Sequence, residues 1–169
     1  MGLNVRTGIG FDVHRFAEDR PLVLGGVRLD YPRGLAGHSD ADALLHAIAD
    51  ALLGAASLGD IGRHFPPDDP AYENVASAEL VRAVAGRVRA AGWEIANVDA
   101  TVLAETPRIA PHVADMVHAI ASVLEIDPDR VSVKATTMEG LGPIGREEGI
   151  AALAVATLAR AEKGRGAER

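Results

Sequence analysis

Cysteine is absent from this chain. That excludes disulfides, thiolate metal sites and cysteine nucleophiles, and it is compatible with the reducing cytoplasm, the location expected here. Basic charge is also in deficit. The formal net charge is −7 and no basic residues are concentrated into a patch, which argues against a general nucleic-acid binder. It does not exclude a phosphorylated ligand, because acidic groups can hold divalent cations that in turn hold polyphosphate. No uninterrupted apolar stretch approaches membrane-spanning length. Met1–Arg6 lacks the apolar centre of a signal peptide, and no internal repeat is visible. The 169 residues fit one domain able to bury its own core, expected over 1–161. The polar tail from Glu162 to Arg169 is expected to be disordered.

Within that domain the apolar spacing alternates between strand and helix. Val5–Phe16 and Leu22–Leu29 read as strands, with Gly25-Gly26 as a turn or bulge. Ala41–Ala56 keeps Leu44, Leu45, Ile48 and Leu52 on one helical face, and the Ser39-x-x-Asp42 spacing predicts a cap at Ser39. His38 then lies at the positive end of that helix, which favours phosphate. Gly59–Asn74, rich in Gly, Pro and Asp, is expected to be a loop and a candidate lid. Ser77–Ala91 and Ala110–Leu124 read as helices. Glu94–Ala104, with Ile95, Val98 and Val102 only partly in register, and Arg130–Thr137 read as strands. Ile150–Ala159 suits strand or helix by composition and is assigned as a strand. Strands and helices mix without strict alternation. The expected class is therefore α+β, a mixed sheet with helices on one face.

Three residues stand out chemically. Asp12 and His14 are spaced by two, so on a strand both project from one face, and His46 comes from the helix. One carboxylate and two imidazoles suit zinc, and three protein ligands leave a position for substrate, as catalytic zinc does. On the helix Asp42, His46 and Asp50 form an i, i+4 row, so either carboxylate could hold the imidazole in place. The same row also reads as an ordinary exposed charged stripe. Leu53 on that side hints that it is covered.

The surrounding residues sharpen this. Gly10-Phe11-Asp12-Val13-His14, then His38-Ser39-Asp40-Ala41-Asp42-Ala43-Leu44-Leu45-His46, Asp60-Ile61-Gly62 and Lys134-Ala135-Thr136-Thr137-Met138-Glu139 follow one another in order and spacing. Over about Gly8 to Ala159 the chain resembles the 2-C-methyl-D-erythritol 2,4-cyclodiphosphate synthase family of the non-mevalonate isoprenoid pathway. The resemblance implies a phosphorus–oxygen lyase that takes 4-diphosphocytidyl-2-C-methyl-D-erythritol 2-phosphate to the cyclic diphosphate and CMP. The 169 residues leave no room for the cytidylyltransferase fused to some relatives, so the stand-alone form is expected, and the resemblance implies a homotrimer with active sites between subunits. A divalent ion, normally Zn²⁺, is implied at Asp12, His14 and His46, and Mg²⁺ or Mn²⁺ at Glu139.

By the same resemblance His38 and Thr137 stabilise the transition state, while Ser39 and Thr136 contact phosphate. Asp60 and Gly62 meet the methylerythritol hydroxyls. Ala104–Ala110, including Ile109, enclose cytosine, with Arg108 near the phosphates. Arg146 is implied to line a central cavity that can take an isoprenoid diphosphate; the plainer alternative is a loop arginine paired with Glu147 or Glu148. Several positions depart from the family. Pro67 replaces a sugar-binding Asp, whose place Asp68 or Asp69 could take. Met138 and Gly140 replace Thr and Lys, and Pro143 replaces a Phe that lines the cavity. Two other readings stay open: a zinc phosphohydrolase, in which the open site activates water, and a metal-stabilised nucleotide-binding trimer without turnover.

Overall fold

The structure is a computed structural model describing residues 4–66 and 75–160. Pro67, Asp68, Asp69 and the 162–169 tail lie outside the described residues. The strands are β1 (Val5–Ala17), β2 (Leu22–Leu24), β3 (Val27–Leu29), β4 (Gly34–Leu35), β5 (Trp93–Leu103), β6 (Val131–Thr136) and β7 (Gly149–Arg160). The helices are α1 (Ala43–Ala56), α2 (Ile61–His64), α3 (Ser77–Ala90), α4 (Val113–Leu124) and α5 (Gly142–Gly145). Five strands form one sheet in the order β4-β1-β7-β5-β6, in which β5 and β6 run parallel and the other pairs antiparallel. The mixed α+β class expected from the sequence is therefore the one observed. Among the described residues no helix is long and apolar enough to cross a membrane.

Several departures from the sequence reading have local causes. Leu22–Leu29 is a hairpin of two short strands turning at Gly25-Gly26, both with positive φ, as a two-residue hairpin turn requires. In β5 the pairing with β7 shifts between Ile95 and Asn97. That bulge lets Ile95 and Val98, three apart, both face the core, which is why their alternation is imperfect. Part of the expected 59–74 loop is instead the short helix α2, which starts because the Asp60 carboxylate accepts the Arg63 N–H at 2.9 Å.

Helices α1, α3 and α4 cover one sheet face. Leu44, Leu45, Ile48 and Leu52 of α1, Leu80, Val81, Val84 and Val88 of α3, and Ile95, Val98 and Val102 of β5 are buried there. α1 lies directly against β1 because Gly8 and Gly10 have no side chains. A Cβ at Gly10 would fall 1.9 Å from the Ala47 carbonyl oxygen, and one at Gly8 2.2 Å from that of Ala51. The opposite face of the sheet is open and apolar. Ile9, Phe11 and Val13 are 67%, 56% and 50% exposed, beside Leu153 and Val155 at 37% and 39%. Register pairs Ile9 with Val155 and Phe11 with Leu153, so the patch is continuous.

Candidate active site

The close contact of α1 with β1 brings His46 over Asp12 and His14. Asp12 Oδ2 lies 2.9 Å from both His14 Nε2 and His46 Nδ1, and the two ring nitrogens are 3.2 Å apart. Burial pushes the Asp12 carboxyl up, but hydrogen bonds and attraction from the two imidazoles prevail and hold it well below the usual carboxylate range. Burial pushes His14 down, yet Asp12 and the Ala36 carbonyl outweigh it, so its net shift is upward. The donor set fits a divalent cation. His14 Nδ1 lies 2.7 Å from Ala36 O, a pure acceptor, so Nδ1 carries a ring proton and Nε2, which faces Asp12, is the nitrogen left to bind a cation in place of its own proton.

Beside the cluster is a pocket of about 270 Å³ lined by His14, His38, Ser39, His46, Ile61, Gly62, Phe65 and Leu80, among others. His38 is exposed at its rim. The loop carrying His38 and Ser39 is tied down by Arg20, whose guanidinium donates to the carbonyls of Gly37 and Ser39. The sequence reading did not find Arg20, which has no local signal.

Two expectations about α1 need correction. Its cap is Asp42, not Ser39: the Asp42 carboxylate accepts the Leu45 N–H at 3.0 Å and also the N–H groups of Gly25 and Gly26 at 2.9 and 2.7 Å. The Gly25-Gly26 turn supplies two donors that only a carboxylate at this position reaches, so the helix starts later than the Ser39-x-x-Asp42 spacing suggests. Neither Asp42 nor Asp50 holds His46. Asp42 is fully buried against the turn. Asp50 accepts the Ile61 N–H at 2.7 Å and so anchors α2. The residue that does meet His46 is Ser77, whose Oγ lies 2.9 Å from Nε2. Ser77 opens α3, 31 positions along the chain, and looks like any other helix start.

A second group forms elsewhere. The Ala104 N–H donates to Thr136 O at 3.0 Å, joining the end of β5 to the end of β6. Glu105 accepts the N–H groups of Met138 and Gly140 at 2.8 and 3.1 Å, bracing the turn that bears Glu139. Thr137 Oγ1 donates to Glu139 Oε1 at 3.1 Å. Ile109 is buried, whereas Arg108, Ala110, Thr136, Thr137 and Glu139 are exposed. None of this group lines the His46 pocket. Register places Thr136 level with Leu103, Ala151 and Val13, on the sheet face opposite to Asp12 and His14 and three strand spacings, about 14 Å, from β1. Asp60 is exposed next to the first group. Arg146 Nε donates to Glu148 Oε1 at 2.7 Å, both side chains being more than half exposed.

A single α+β domain that gathers a carboxylate and two imidazoles at an open pocket is of the class able to hold a divalent cation beside a small-molecule ligand. Comparison with known proteins is more specific. The sequence profile of the YgbB family matches residues 5–159. A 2-C-methyl-D-erythritol 2,4-cyclodiphosphate synthase of Bordetella pertussis is 58% identical over 161 residues, covering 95% of this chain and 99% of that protein. The bifunctional IspDF of Campylobacter jejuni superposes with a TM-score of 0.91 at 44% identity; the match covers 95% of this chain and 43% of that longer one. IspF of Plasmodium falciparum, in complex with CDP, matches with a TM-score of 0.81 at 33% identity, covering 95% of this chain and 99% of that one. The chain belongs to the YgbB family, the 2-C-methyl-D-erythritol 2,4-cyclodiphosphate synthases.

Proposed function

We propose that this chain converts 4-diphosphocytidyl-2-C-methyl-D-erythritol 2-phosphate into 2-C-methyl-D-erythritol 2,4-cyclodiphosphate and CMP. The observation that carries the reading is the convergence of Asp12, His14 and His46, ligand atoms within 4.8 Å of one another, at a pocket shared with His38 and Ser39. An oxygen of the 2-phosphate forms the new bond to the β-phosphorus while the bond from that phosphorus to the bridging oxygen breaks, the oxygen leaving with CMP. A phosphate monoester with a second pKa of about 6 is already largely dianionic near neutrality, so the protein need not supply a base. Its task is alignment, which can lower the barrier by up to ~7–11 kcal/mol, and charge neutralisation.

Asp12, His14 and His46 would hold Zn²⁺ or a similar ion, and Glu139 Mg²⁺ or Mn²⁺; when bound, these ions supply Lewis-acid neutralisation of the diphosphate. His38 and Thr137 donate to phosphate oxygens, with Ser39 and Thr136 beside them. Asp60 and the Gly62 backbone orient the sugar hydroxyls, and Ala104–Ala110 take the base, with Arg108 toward the phosphates. The CDP bound by the Plasmodium relative supports a cytidine diphosphate ligand.

Thr136 of the second group lies on the sheet face opposite to Asp12 and His14, about 14 Å from β1, so a site made from both groups would be closed by a second chain. The open apolar face supports a homotrimer, because a continuous apolar patch of this kind marks an interaction surface. Three copies of Arg146 near the axis would favour an anion such as an isoprenoid diphosphate. Such a ligand should raise the melting temperature of the wild type and leave that of Arg146→Ala unchanged.

The deciding experiment supplies the diphosphocytidyl substrate in H₂¹⁸O. The synthase gives cyclic diphosphate and CMP without solvent oxygen. A linear product carrying ¹⁸O would establish the phosphohydrolase instead, and nucleotide binding without product would establish a binding protein.

A further inference from the structure

The far side of His46 has its own support. Ser77, fully buried, places its Oγ 2.9 Å from His46 Nε2; the Ser39 hydroxyl is farther, at 3.4 Å, and already accepts the Ala41 N–H. The Ser77 hydroxyl donates to the Asp40 carboxylate, which also accepts the Ser77 backbone N–H at 3.1 and 3.2 Å. A hydroxyl has one proton to give and a carboxylate only accepts. With that proton committed to Asp40, Ser77 Oγ can only accept from His46. Nε2 must then carry a ring proton, and a cation that displaces the proton Nδ1 shares with Asp12 meets the Nδ1 lone pair in the correct tautomer.

We propose that Ser77 and Asp40 are positioning residues that fix the tautomer and ring orientation of His46 for cation binding. Asp40 lies between Ser39 and the start of α1, so the same carboxylate ties the His38–Ser39 loop to α3. The relay thus links the cation site to the loop that contacts phosphate. The inference rests on the metal reading of the cluster. Its plainer rival is that Asp40 merely caps α3, and the two separate because the cap uses the Ser77 backbone N–H, which Ser77→Ala retains.

The test titrates Zn²⁺ and Co²⁺ into metal-stripped wild type, Ser77→Ala, Ser77→Thr and Asp40→Asn against a competing chelator. His46 ring nitrogens are followed by NMR, and the melting temperature of each metal-free protein is recorded. In Ser77→Ala the cation should bind ~10–100-fold more weakly, the usual cost of losing the partner that orients a ligand. The Nε2–H form should give way to a tautomer mixture, and the metal-free melting temperature should stay at the wild-type value. Ser77→Thr should restore affinity. Asp40→Asn can donate to Ser77 Oγ, free the hydroxyl to donate to Nε2 and so weaken binding too. Wild-type affinity in a folded Ser77→Ala would overturn the inference. So would an affinity loss matched by an equal loss of metal-free stability with an unchanged tautomer. Failure of wild type itself to bind a cation would instead sink the metal reading beneath it.

Discussion

The Asp12–His14–His46 cluster and the Thr136–Gly140 turn are built in opposite ways. The cluster stands on the thirteen-residue strand β1 and the fourteen-residue helix α1, and its side chains are only 14–25% exposed. The turn follows a six-residue strand, is exposed throughout, and is braced chiefly by the Glu105 carboxylate. A group held by packed elements is organised before any ligand arrives, whereas an exposed turn gains its final geometry from what binds it or packs on it. Under the proposed function the first group would position the reacting phosphates and the second would meet the leaving group.

The largest effect should come from breaking the organised half. His46→Ala should lose stoichiometric zinc and about 10³-fold in turnover, equivalent to roughly 4 kcal/mol. If metal analysis finds one zinc per chain in the purified variant, the ligand set is wrong. In the exposed half, Glu139→Gln should keep its zinc but need much more Mg²⁺ or Mn²⁺, at a cost of ~10–100-fold at low divalent concentration. An unchanged dependence on the added ion would remove Glu139 from the metal set. Glu105→Ala should cost less, about 3–10-fold, because it loosens the turn while keeping the backbone of the Ala104–Ala110 segment proposed to take the base. A zinc content that fell in this variant would show that the two halves are coupled within one chain.

The smallest effect is in pH. In the metal-free chain Asp12 is held below its ordinary 3.8, so its contribution is present above that value and fades as pH falls through the lowered one. His14 is raised above 6.5, so its contribution is full below that value and is lost as pH rises through the raised one. The metal-free cluster therefore contributes most between 3.8 and 6.5. A cation displaces the imidazole protons and so stabilises more at higher pH. The difference in melting temperature between loaded and stripped protein should narrow as pH falls, by about 2–4 °C for each kcal/mol lost at this chain length. A difference that widened instead would mean that the cation does not compete with these protons.

The organised half was largely legible in the sequence. Asp12-x-His14 on a strand and His46 on a helix needed only the two side-chain periods, and the Gly25-Gly26 turn needed only its residue types. What escaped was set by contacts distant in sequence. Ser39 and Asp42 are both good caps, and the choice falls to Asp42 through Gly25 and Gly26, seventeen and sixteen positions earlier. Asp50 has the spacing to hold His46, but α2 offers it the Ile61 N–H. The imperfect alternation at Ile95 and Val98 was visible, yet only the pairing with β7 shows that it is a bulge. In the exposed half, residue types alone suggest a generic loop. Glu139 and Arg108 are legible only through the family resemblance, and Glu105 only as part of Ala104–Ala110; its brace on the Glu139 turn, 33 and 35 positions away, has no sequence signal.

Gly8 and Gly10 set how closely the two ligand-bearing elements approach. Because backbone meets backbone where α1 crosses β1, the helix carrying His46 lies against the strand carrying Asp12 and His14 with no side chain between them. A Cβ at Gly10 would fall 1.9 Å from the Ala47 carbonyl oxygen, one residue from His46, so a side chain there would have to lift the helix off the strand and carry the imidazole with it. The reach of His46 to its partners thus depends on two residues that bear no ligand atom.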